Sequence, residues 1–101
     1  MPSLPEFGIY LALVLFVTGL LGVLARKNIL LVMLSLEILL NSANLAFVCA
    51  SRITNTLDGQ VAVTIVMAVA ACEAAVGLAL VIAMFRKVGS LDVDDLRILR
   101  G

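Results

Sequence analysis

Histidine is absent from the 101 residues, and the two cysteines, Cys49 and Cys72, fit no CxxC or other metal-ligand spacing. The sequence therefore offers no metal centre. Charge is scarce too: 14% of the residues are charged against 63% apolar, and the mean hydropathy is +1.22. A water-soluble fold of this length would have to hide most of its residues with too few polar ones left to cover them, so a soluble domain is excluded and a membrane chain remains. Seven Lys and Arg balance seven Asp and Glu, so net charge marks neither a nucleic acid nor an anionic surface as partner. Also missing are a GxGxxG turn, a Walker A loop, an HExxH helix and any set of side chains that would make a nucleophilic triad. The four methionines are scattered and read as filling.

What is present is three long apolar runs. The first spans about 7–25, broken only by Thr18 and glycines. After the break ARKN comes a second, about 29–49, interrupted by Ser35, Glu37, Asn41, Ser42 and Asn44. The segment SRITNTLDGQ gathers turn formers and charges, and a third run, about 61–85, holds Glu73 as its one charge. Each is long enough for a helix to cross about 30 Å of hydrocarbon, while the alternation of a barrel strand is lacking. The expectation is an all-α integral membrane protein: one unit over 1–101, three transmembrane helices and a tail at 86–101 too short and polar to span, free to dock on another cytoplasmic face. A cleaved signal peptide is disfavoured, because MPSLPEF carries Glu6 and no Lys or Arg, and no small-x-small cleavage site precedes a soluble domain. Cys49 and Cys72 fall at depths about 15 Å apart, too far for a disulfide, and both are expected to be packing residues.

Basic residues set the direction. The leader has none, the first loop has Arg26 and Lys27, the second has Arg52 alone, and the tail has Arg86, Lys87, Arg97 and Arg100. This bias puts the N-terminus outside and the first loop and C-terminus in the cytoplasm. The short first loop makes an antiparallel hairpin of spans one and two, with span three expected against them.

The two acids inside the spans carry the functional signal. Counted from the cytoplasmic ends, Glu37 lies about 14 Å deep in span two and Glu73 about 18 Å deep in span three, so both fall near the bilayer centre within about 5 Å of each other in depth. An acid there costs about 3 kcal/mol on insertion scales and requires water, a partner or a proton. No Lys or Arg of this chain reaches that depth. Either the acids are protonated part of the time or a neighbouring protein supplies a cation, and both conditions suit a group that gains and loses a proton. Asn41 and Asn44 fall within about 40° of Glu37 around the helix, giving one polar stripe that faces protein or water. On span three Ala70 and Gly77 flank Glu73, and Ala71, Ala75, Ala79 and Ala83 line the opposite side, so small residues imply close neighbours on both sides and a chain that works as a component.

Five segments in order, RKN after span one, LEILLNSANLAF in span two, DGQV at the start of span three, AACEAAVGLAL about the second acid and the closing LDVDDLRILRG, resemble the NuoK family. These are the smallest membrane subunits of proton-pumping NADH:quinone oxidoreductase, respiratory complex I, and the resemblance covers essentially the whole chain. It implies a multi-pass subunit of the bacterial cytoplasmic (inner) membrane, between the quinone-reducing region and the antiporter-like subunits of the membrane arm. It also implies no cofactor or redox centre in this chain, with NADH, FMN, iron-sulfur clusters and quinone handled by other subunits. The family's proton-relaying glutamates match Glu37 and Glu73, and its basic loop residues match Arg26 and Lys27. At Lys27 arginine is also familiar, and lysine there forgoes a bidentate contact. Small subunits of multisubunit cation/proton antiporters and of membrane-bound hydrogenases are similar, but both acids together with DGQV and the final RG favour the oxidoreductase. A passive assembly subunit is the remaining alternative, in which apolar residues of like volume would replace the glutamates without loss of pumping.

Overall fold

The computed structural model describes residues 2–94. Three helices follow in order, α1 (Leu4–Ala25), α2 (Ile29–Thr54) and α3 (Asp58–Val88), each long and apolar enough to cross a membrane. Among the described residues the only strand-like pairing is one isolated bridge.

Caps rather than hydropathy fix the helix ends. Ser3 and Glu6 form a reciprocal capping box and Pro5 fills the first turn, which starts α1 at Leu4, ahead of the apolar run. Asn28 caps α2, its Oδ1 accepting from Leu30 N–H at 2.9 Å and Leu31 N–H at 3.4 Å. At the far end α2 continues through Ser51 and Arg52 and stops where Asn55 takes the left-handed conformation at φ 55°. Most of the segment read from the sequence as a loop is therefore helix, and residues 55–57 alone connect α2 to α3. Gly89, at φ 77°, closes α3, with Arg86 and Lys87 in its last turn, where the carbonyl end of the helix dipole favours cations.

The molecule measures 55 × 25 × 16 Å, about one helix thick in its shortest direction. The helices lie in a row with α2 in the middle. α1 packs on one side of α2 and α3 on the other, and α1 and α3 do not meet. The expected contact of the third span with the first is thus absent, because α2 separates them.

Small residues set both seams. A Cβ at Gly19 would stand 2.9 Å from Leu39 Cγ and 3.0 Å from the Ser35 carbonyl oxygen, and Gly22 lies against the Ser35 side chain. On the other side Gly59 abuts the Phe47 carbonyl and Ser51 Oγ, while a Cβ at Gly77 would stand 2.6 Å from Met33 Cε. The buried residues are correspondingly small: Ala12 and Gly19 on α1, Ser35, Ser42, Asn44, Cys49 and Ser51 on α2, and Val81 on α3. This is how membrane helices associate, by close approach of backbones instead of a greasy core. Cys49 packs against Gly8, as expected, but Cys72 is exposed on α3 and packs nothing within the chain.

Candidate functional site

The seam between α2 and α3 brings the two glutamates to one level. Met33 meets Gly77, and Ser51 meets Gly59, so the antiparallel register is fixed at two places. Residue 37, one turn on from Met33, then lies level with residue 73, one turn back from Gly77. Glu73 is the middle residue of α3, and Glu37 lies in the first half of α2. The common depth expected from the sequence is a property of the packed pair.

Their surroundings differ. Glu37 is half-buried on the side of α2 that faces α3, whereas Glu73 is exposed, about 60° around α3 from the Ala70–Gly77 line that touches α2. Neither carboxylate has a hydrogen-bond or ion-pair partner among the described residues. The alanines Ala71, Ala75, Ala79 and Ala83 are exposed as well, on the side of α3 away from α2.

The amide stripe splits. Asn44 is buried in the α2–α3 seam at 8% exposure, and its Oδ1 has no partner. Asn41, on the outer flank of the same stripe, is exposed. Ser51 is the residue that sequence reasoning passed over. It is 3% exposed, its Oγ is also without a partner, and it abuts Gly59 across the seam. Its signal was available, because Glu37, Asn44 and Ser51 recur every seven residues and so stack on one face. By contrast, the hydroxyls of Ser35 and Ser42 bond back to the Leu31 and Leu39 carbonyls at 2.9 and 2.6 Å and are satisfied within the helix.

Four of the five described basic residues gather at one end of the row, Arg26 and Lys27 between α1 and α2, Arg86 and Lys87 at the end of α3, while Arg52 lies in the last turn of α2 at the other end. Arg97 and Arg100, part of the orientation signal, lie outside the described residues, as does the tail from 95 onward. The part that is described, 90–94, folds onto the α1–α2 loop of its own chain. There Asp94 Oδ2 stands 3.0 Å from Lys27 Nζ, and that hydrogen bond raises the lysine pKa, with the charges of Asp94 and then Asp92 adding to it. Arg26 is exposed, and no ion pair is made to it among the described residues. A groove of about 600 Å³ opens beneath it, between Leu21 and Gly22 of α1 and Leu34 and Ile38 of α2, on the α1 side of the row and away from the seam that holds the acids.

Comparison with known proteins adds a separate line of information. Residues 8–101 match the family described as NADH-ubiquinone/plastoquinone oxidoreductase chain 4L. The chain is 49% identical over 94 residues to NADH-quinone oxidoreductase subunit K of Anaeromyxobacter sp. (strain K), covering 93% of this chain and 95% of that one. With the protein of the same name from Helicobacter pylori (strain B38) it shares 52% over 87 residues, 86% of this chain and 87% of the other. With that of Deinococcus radiodurans the identity is 48% across the full length of both.

Proposed function

The chain belongs to the NADH-ubiquinone/plastoquinone oxidoreductase chain 4L family, and on that premise we propose that Glu37 and Glu73 are a proton relay inside a membrane subunit of NADH-quinone oxidoreductase, respiratory complex I. The observation that carries the proposal is their placement: two carboxyl groups level with each other inside neighbouring membrane helices, one of them at the middle of α3, with every described Lys and Arg at or next to a helix end. The basic end of the row faces the cytoplasm of a bacterium, following the charge bias, and the chain crosses the inner membrane three times.

The chemistry needs no cofactor in this chain; NADH, FMN, iron-sulfur clusters and quinone act in other subunits. Quinone reduction there alters the field and hydration around the membrane arm. A proton held by one carboxylic acid then moves to the other carboxylate or to a group of an adjoining subunit, leaving the donor ionised and the acceptor neutral. An acid inside a membrane requires water, a partner or a proton, so such transfers respond to small changes nearby. Half-burial keeps Glu37 close to that medium, and the exposed flank of Glu73 is where an adjoining subunit of the membrane arm reaches it. Asn44 and Ser51 offer oxygens to the same seam. Arg26 and Lys27 act at the cytoplasmic surface.

The rival reading is a passive spacer. Inverted membrane vesicles separate the two: Glu37→Gln and Glu73→Gln keep the complex assembled on native gels, yet each lowers NADH-driven proton pumping by about tenfold or more, the scale at which loss of a positioned proton carrier is felt. Full pumping in both variants would leave only the spacer.

A further inference from the structure

Beyond α3 the chain makes a small built structure that the relay does not use. Ile29 N–H donates to the Leu91 carbonyl at 2.8 Å and Val93 N–H to the Lys27 carbonyl at 2.9 Å, which pairs Asn28 with Asp92 in antiparallel fashion. Asp92 N–H bonds to Ser90 Oγ at 3.1 Å and Asp94 N–H to Asp92 Oδ1 at 2.8 Å, two local turns that bend the segment before it pairs. The Asp94–Lys27 ion pair lies at its tip.

Its mechanical position follows from the fold. α3 touches α2 and not α1, along a line of small side chains. At one end the two helices are tied by the link 55–57. At the other end, among the described residues, 90–94 connect them through the loop that begins α2. Two rods tied at one end open like tweezers, and because Glu73 is the middle residue of α3, about half of any opening at the free end appears at the level of the two carboxylates.

We infer that residues 90–94 are a brace that closes the free end of the α2–α3 pair, and that Asp94 is its positioning residue, acting through Lys27 to keep Glu37 and Glu73 level and close to each other beside the seam. An exposed ion pair is weak alone and screened by salt. Here it needs only to choose between a closed and an open backbone pairing whose turns are already shaped. The inference also divides the two loop cations: Lys27 works within the chain and leaves Arg26 as the one turned outward. The consequence for proton transfer rests on the relay reading; the closure itself does not.

The test uses the assembled complex in its membrane. With Cys49→Ala and Cys72→Ala as background, Met33→Cys and Gly77→Cys place thiols where α2 and α3 meet, the loss of the methionine side chain making room for the new one. A short bifunctional thiol reagent bridges them readily while the brace is closed. Asp94→Lys, which sets like charges together, is expected to slow bridging several-fold and to lower protons pumped per NADH; Asp94→Asn does the same to a smaller extent. Adding Lys27→Asp to Asp94→Lys restores both readings. Unchanged bridging in Asp94→Lys, or no recovery in the charge-swapped chain, overturns the brace. Bridging that falls and recovers while pumping stays constant leaves the brace standing and overturns the relay.

Discussion

Glu37 and Glu73 were visible in the sequence as acids at matching depth, because depth needs only a count of residues at a fixed rise. Their exposure was not visible. It depends on which arc of α3 meets α2: small residues on both sides of α3 implied a neighbour at each, and only the packed pair shows that α2 takes the side of Gly59 and Gly77. Asn41 and Asn44 show the same limit: neighbours on the wheel, they part company at the edge of a seam. Lys27 illustrates it for charge, since its partner Asp94 lies at the other end of the chain. Because the folded pKa of Lys27 is raised, the stability that its charge contributes is fully present below the ordinary lysine value and is lost as pH rises through the raised one, so on the lysine side the pairing is constant across the neutral range and is lost in alkali. At mildly alkaline pH an amine-acylating reagent, followed by peptide mass spectrometry, should label Lys27 faster in Asp94→Asn than in the unmodified chain. Equal rates would mean the pair does not hold the proton in place.

At the scale of the element, the number, type and order of helices were legible because about twenty apolar residues in a row permit little else in a membrane. The ends were less so. Hydropathy stops at Cys49, but backbone hydrogen bonding continues to Thr54 until Asn55 turns left-handed. The two seam glycines of α3 make a sharp comparison. At Gly59 an added methyl runs into the Phe47 carbonyl, which is backbone and can yield only if the helix shifts; at Gly77 it meets the mobile end of Met33. Gly59→Ala should therefore destabilise the pair by about 1–3 kcal/mol, the usual range for overpacking, and Gly77→Ala by less. Thermal release of this subunit from the purified complex would rank them, and equal midpoints would contradict the packing described.

As a whole molecule the chain is a flat row without a core of its own, which composition foretold in kind but not in shape. Its three helices cannot enclose a path for ions, and the outer face of α3, with Ala75 and Ala79 exposed on the side away from α2, is shaped for close approach by another helix. Ala79→Leu is expected to leave membrane insertion intact and to reduce recovery of this chain with the rest of the oxidoreductase in mild detergent; undiminished recovery would show that this face meets lipid. In the proposed relay the row of helices holds two carboxyl groups at one level, and each exchanges a proton during turnover. Infrared difference spectroscopy of the complex, resting against NADH-driven, reads that exchange as carbonyl-stretch bands of protonated carboxylic acids. Bands are expected that vanish one at a time in Glu37→Gln and Glu73→Gln; difference spectra identical in this region for all three proteins would show that neither acid exchanges a proton.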